Sequence, residues 1–99
     1  MDDIHKLIVE TIGTFVLLSV ILHSANDNRI GPIGISSTLL AVIYLGASTS
    51  GAHYNPVVTV TMILNNKISA NLGIFYILAQ LFGGIFAFLF NKIILASKN

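Results

Sequence analysis

A chain of 99 residues that is 55% hydrophobic and only 9% charged lacks the polar surface of a soluble domain, where about 25% of residues are charged. Mean hydropathy is +0.86 and net charge is +1 with no basic run, which argues against nucleic acid and for a lipid bilayer as partner. Absence of cysteine removes disulfides, a thiol nucleophile and cysteine metal sites, and the length suits one domain.

The opening Met1-Asp2-Asp3-Ile4-His5-Lys6 carries as much acid as base, a poor signal-peptide start, so the first apolar segment is expected to be retained. That segment spans about 7–23 and is interrupted by Glu10, Thr11, Thr14 and Ser19, with a polar turn after it. A second apolar segment covers about 33–48, and Gly31-Pro32 before it favours a break ahead of the helix. The third and longest covers about 70–96, with only Gln80 and Asn91 strongly polar. The first two fall a little short of the ~20 residues of a standard span, and their flanks can extend them. Gly13 with Thr14, Gly34 with Ser37 and Thr38, Gly46 with Ala47, and Gly83-Gly84 with Ala87 offer low-profile faces for helix contact.

Between the second and third segments lies a different element, about 49–66. Here Ser50-Gly51-Ala52-His53-Tyr54-Asn55-Pro56-Val57-Val58-Thr59 reads as a glycine-led turn feeding a helix. Asn55 suits the N-cap, and Pro56 suits the first helical position, where its missing N–H is not needed. From Pro56 to about Leu64 such a helix is roughly 13 Å long, about half of a ~30 Å hydrocarbon core. A half-helix starting at the membrane midplane puts a positive dipole end and free N–H groups where water or a small polar solute can pass. The expected fold is an all-α membrane protein of three transmembrane helices plus one re-entrant half-helix.

Three motifs in order resemble the first half of an aquaporin, the water and glycerol channels of the major intrinsic protein family. Glu10-Thr11-Ile12-Gly13-Thr14-Phe15 is similar to the Glu-x-x-Gly-Thr-Phe pattern of the family's first helix. The Ser50–Thr59 run is similar to Ser-Gly-Ala-His-x-Asn-Pro-Ala-Val-Thr of its first re-entrant loop. Tyr76-Ile77-Leu78-Ala79-Gln80-Leu81-Phe82-Gly83 is similar to Tyr-x-x-Ala-Gln-x-x-Gly of its third helix.

The resemblance implies a role for particular residues. Asn55 donates its side-chain amide to a solute while its oxygen caps the helix. Gly51 and Pro56 are architectural. Glu10, costly inside a span unless hydrogen-bonded, braces the re-entrant backbone rather than relaying protons, and Gln80 joins the same polar layer. His53 lines the pore or braces the loop, and its protonation offers a route to gating. The family's spacing places an apolar ring at the mouths of a two-fold pore: Ile35 from one protomer, and Ile43, Ala52 and Val58 from the other. Val57 of each copy sits near the two-fold axis.

Two departures stand out. The family carries two inverted halves in one chain, and this sequence holds one. The family's second half has an arginine shortly after its Asn-Pro-Ala, whereas here Val58 stands three residues after Asn55, and Val57 replaces the usual alanine. A ring without fixed charge implies weaker exclusion of solutes such as glycerol, urea or ammonia.

Two functions compete. One is a channel for water or small neutral solutes built from two copies in an antiparallel dimer, with a tetramer of such dimers implied by the family. Lys6 and Lys67 fall on one side of the membrane and Arg29, Lys92 and Lys98 on the other, a near balance that suits insertion both ways round. The alternative is a non-conducting accessory subunit of a full-length aquaporin. No nucleophile–base pair, phosphate loop or metal cluster is visible, and His5 and His23 have no ligand spacing to His53. Neither an enzyme, nor a metal, nor a cofactor is expected.

Overall fold

The computed structural model describes residues 3–95. Its elements are α1 (Asp3–Ser24), α2 (Ile30–Ser50), α3 (Pro56–Leu64) and α4 (Ala70–Phe90), followed by a π-helical turn at Asn91–Leu95. Three stretches are long and apolar enough to cross a bilayer: Asp3–Ser24, Ile30–Ser50 and Ala70–Leu95. The protein is therefore a multi-pass integral membrane protein with an all-α, half-aquaporin-like fold.

The helix bounds differ from the sequence expectation, each for a local reason. α1 gains a turn at its N-terminus, where Asp3 sits in the first turn and pairs with Lys6 at 3.5 Å. α2 starts at Ile30, before Gly31-Pro32, so no break precedes Ile33. The Asp27 carboxylate accepts the backbone N–H groups of Arg29 and Ile30, both at 2.9 Å, and its carbonyl accepts that of Gly31 at 2.8 Å. Pro32 then falls in the first turn, where a helix needs no N–H from it. Those two donors also hold the Asp27 carboxyl below the usual carboxylate range. At its far end α2 runs on to Ser50 and is closed by Gly51 at φ 87°, whose N–H reaches the Ala47 carbonyl at 3.1 Å. The non-helical stretch ahead of α3 is thus only residues 51–55. The third span leaves α-helical geometry after Phe90, and Ala96, the expected end, lies outside the described residues.

Packing is organised around α1, which lies between α2 and α4 and keeps their backbones apart, while α3 packs on α4. α1 and α4 approach closely at Gly83, where a Cβ would meet the Thr11 carbonyl oxygen at 2.5 Å. On the other side of α1, Leu17, Val42 and Tyr54 form the buried cluster, with Val9, Leu18 and Ile21 against it. Tyr54 comes from the loop and inserts its ring between Gly13 of α1 and Gly46 of α2, both too close to tolerate a side chain. Its hydroxyl donates to the Val42 carbonyl at 2.6 Å. Large apolar side chains such as Tyr44 and Leu45 remain about 80% exposed, as lipid-facing residues do (81% and 80%).

This wedge yields a test. Replacing Gly46 with Val should expel the Tyr54 ring and cost roughly 1–3 kcal/mol, the usual range for overpacking. A thermal melt in detergent should show the loss, and Tyr44→Ala, on the lipid face, should leave the melting temperature nearly unchanged.

Candidate functional site

The site is the short loop from Gly51 to Asn55 together with the polar side chains beneath it. Its backbone is unusual: Ala52 and Tyr54 both hold φ at 54°, the left-handed region that non-glycine residues avoid. Each such residue costs of order 1 kcal/mol or more, so the surroundings must impose the shape.

Glu10 does so. It is fully buried on α1, and four donors converge on its two oxygens. Oε1 accepts the Tyr54 N–H at 2.8 Å and Gln80 Nε2 at 2.9 Å. Oε2 accepts the Ser50 hydroxyl at 2.7 Å and the His53 N–H at 3.0 Å. The Ser50 oxygen in turn accepts the Ala52 N–H at 3.1 Å, and the Ser50 carbonyl accepts the Tyr76 hydroxyl at 2.7 Å. A carboxylate can accept about four hydrogen bonds, so this one is saturated and the cost of burying it is offset. The loop's N–H groups, which would otherwise be orphaned in the membrane interior, are partnered from Ala52 to Tyr54.

A second network continues from Gln80. Its Nε2 also donates to Thr59 Oγ1 at 2.9 Å, and Thr59 Oγ1 lies 2.9 Å from His53 Nδ1. The His53 ring tilts against Tyr76 with centroids 5.0 Å apart. Five elements therefore meet in one polar layer: α1 (Glu10), α2 (Ser50), the loop (His53, Tyr54), α3 (Thr59) and α4 (Tyr76, Gln80).

Asn55 caps α3, its Oδ1 accepting the Val57 N–H at 2.8 Å, and Pro56 follows at the first helical position. The nine residues of α3 end at the polar turn Asn65-Asn66-Lys67. With that turn at the membrane surface, Asn55 lies roughly 13 Å deep, near the middle of the core. Asn55 is exposed, and its amide nitrogen has no partner among the described residues. Beyond it a groove of about 540 Å³ continues between α1 and α4, walled by Leu17, Ile21, Leu81, Ile85 and Phe88. Thr14 Oγ1 and Gln80 Oε1, both buried and without a hydrogen-bond partner among the described residues, belong to residues of this groove.

The remaining candidates are dispersed. Ile35 and Ala52 pack against the Leu17–Val42–Tyr54 cluster, both partly buried. Ile43 is exposed on α2, Val58 is half-buried on α3, and Val57 is 72% exposed beside Asn55. Sequence reasoning does not single out Ser50, Tyr54, Thr59 or Tyr76. Thr59 has a legible signal: four residues after Asn55, it lies one helical turn below the cap. Among the described residues no group of three or more His, Asp or Glu converges as a metal site would require.

Comparison with known proteins agrees with this geometry. Residues 31–99 match the model of the major intrinsic protein family. Aquaporin Z of Photorhabdus laumondii is 37% identical over 94 residues, covering 85% of this chain and 41% of that protein. Glycerol uptake facilitator protein-like 6 of Lactiplantibacillus plantarum is 36% identical over 88 residues, covering 83% and 40%. Aquaporin-B of Dictyostelium discoideum is 38% identical over 93 residues, covering 85% and 32%. The chain thus spans well under half the length of these relatives. No solved structure matches it significantly.

The Glu10 network makes a clear forecast. In Glu10→Gln one oxygen becomes an NH₂ facing N–H donors, so the His53 and Tyr54 amides should exchange with solvent at least ~10-fold faster, the effect of losing about 1.4 kcal/mol of protection. Hydrogen exchange followed by mass spectrometry on the protein in detergent reads this directly. Glu10→Ala should be worse and should lower the yield of folded protein.

Proposed function

Because this chain belongs to the major intrinsic protein family, we propose that it is a subunit of a membrane channel for water or small neutral, glycerol-like solutes, whose lumen is completed by a second copy in inverted orientation. The observation that carries this reading is the N-terminus of α3. It ends at mid-depth on an exposed asparagine whose amide has no partner among the described residues, and it opens onto an apolar groove of about 540 Å³. Irregular backbone at that depth is tolerated only when covered by protein or facing water.

A two-fold axis in the membrane plane near Val57 supplies both conditions. It brings a second Asn55 opposite the first and lays the partner's α3 along the groove beyond it. α3 is suited to that seat, because Val57, Val60 and Leu64 form an exposed apolar stripe at helical spacing. The two helix N-termini then direct their positive ends at the lumen, which disfavours cations while the asparagine amides bind neutral solutes in single file. In this reading Glu10, Gln80, Gly51 and Pro56 hold the loop. Asn55, His53, Ala52, Val57, Val58, Ile35 and Ile43 supply lumen or mouth. The near balance of basic residues between the two ends supports insertion in both directions.

Cysteine is absent from the sequence, so single-cysteine variants report cleanly. Val57→Cys should form a disulfide-linked dimer in oxidised vesicles if the two positions meet at the axis, because a disulfide needs paired Cβ atoms within ~3.5–4.5 Å. Cysteines placed at Ser24 should be labelled from both sides of the membrane, each in about half the molecules. A stopped-flow shrinkage assay on proteoliposomes of the pure protein should show solute flux, reduced about tenfold or more in Asn55→Ala. A single orientation for every molecule, with no flux, would overturn the pair and favour an accessory subunit of a full-length aquaporin.

A further inference from the structure

Threonines in membrane helices commonly turn the hydroxyl back to the carbonyl one turn earlier. Thr11, Thr38 and Thr61 do this, bonding to Leu7, Gly34 and Val57 at 2.8, 2.7 and 2.9 Å. Thr59 does not. Its fully buried hydroxyl faces Gln80 Nε2 and His53 Nδ1 instead, each at 2.9 Å.

Proton accounting then settles which atoms donate. Glu10 accepts at both oxygens, so the Gln80 amide must meet it with nitrogen; the reverse would set an amide oxygen against a carboxylate. The second hydrogen of the same nitrogen goes to Thr59 Oγ1. Among the described residues the hydrogen of Thr59 is left with one acceptor in reach, His53 Nδ1. Were Nδ1 protonated instead, the Thr59 hydrogen would be buried with nothing to bond. The ring hydrogen therefore belongs on Nε2.

That edge of the ring points away from the network. A Cβ at Gly51 would lie 3.4 Å from Nε2, and the edge borders a vestibule of about 480 Å³ between the loop, α1 and α4. Nε2 has no acceptor among the described residues. The titratable or charged groups around the ring and vestibule are Glu10, Lys6 and Asp3 from α1, Lys67 from the turn after α3, and Tyr76 from α4. Asp3 is paired with Lys6 at 3.5 Å, and Glu10 is already saturated.

We propose that Thr59 holds His53 in its Nε2–H form, so that the vestibule wall presents a hydrogen-bond donor and recruits neutral solutes through an oxygen acceptor, as in a polyol or urea. The solute half of this proposal rests on the channel reading, and the tautomer half does not. Thr59 is a positioning residue that acts through His53.

The test uses the full chain in lipid nanodiscs, with isotope-edited NMR of the His53 ring nitrogens near neutral pH. The wild type and Thr59→Ser should show hydrogen on Nε2 and a bare, hydrogen-bonded Nδ1. Thr59→Val should show a mixture of tautomers. A wild-type ring with hydrogen on Nδ1, or a Thr59→Val ring unchanged from wild type, overturns the assignment. In proteoliposomes, His53→Leu should lower glycerol and urea flux ~5-fold, the worth of about one hydrogen bond, while His53→Gln, which retains a donor, stays within twofold. Equal flux in all three removes the recruiting role. If no solute crosses with the wild type while the NMR result holds, the channel reading fails and the tautomer assignment stands.

Discussion

Everything in this molecule that departs from a plain helix bundle depends on one buried carboxylate. A chain that leaves helical geometry inside a bilayer strands its N–H groups, and each orphan costs several kcal/mol in hydrocarbon. Glu10 takes two of those groups directly and fixes a third through Ser50. The Ser50, His53 and Tyr54 contacts, with the Gln80 amide as a fourth donor, offset the cost of burying Glu10 itself. Neither the loop nor the acid is stable at that depth alone, and each is the other's solvent.

The strained backbone follows from that pairing. Glu10 receives the successive N–H groups of His53 and Tyr54, and left-handed φ at Ala52 and at Tyr54 bends the loop on either side of His53. A further contribution then stabilises the strained state: the Tyr54 ring drops between Gly13 and Gly46 and anchors its hydroxyl on α2. Burying most of a tyrosine ring is worth about 2 kcal/mol, comparable to the strain it opposes. The small residues of α1 and α2 are thus shaped around a loop side chain as well as around each other.

How much of this is legible in the sequence? The spans, the half-helix and its cap follow from apolar length and from Asn55-Pro56, because those are local properties. Glu10 and Gln80 fall in one layer because a membrane interior leaves two polar side chains few places to go, and a 2.9 Å hydrogen bond joins them. The start of α2 escapes the sequence reading because Gly31-Pro32 signals a break, while the deciding cap, Asp27, lies five residues before the proline. Tyr54 is hidden for a different reason. Its importance comes from partners 12 and 44 residues away, and no period along the chain encodes that.

The missing arginine acquires a physical meaning in the proposed pair. Each α3 N-terminus carries roughly half a positive charge, which at 4 Å and an effective dielectric of ~20 repels a monovalent cation by about 2 kcal/mol. Two such ends facing one lumen give about 4 kcal/mol, close to three decades of exclusion, with no charged side chain required. Exclusion of neutral solutes is another matter, because a dipole end does not discriminate water from a polyol by charge. That task falls to width and to hydrogen-bond pattern. Width is set by apolar, uncharged residues such as Val57 and Val58, which hold no solute in a fixed pose. Pattern is set by unpaired polar atoms: the Asn55 amide at the midplane and the His53 Nε2 edge in the vestibule, both donors once Thr59 occupies the Nδ1 edge of the ring, and Gln80 Oε1, an acceptor on a residue of the groove beside Asn55. In the proposed pair the midplane and the vestibule therefore engage a solute first through its acceptors.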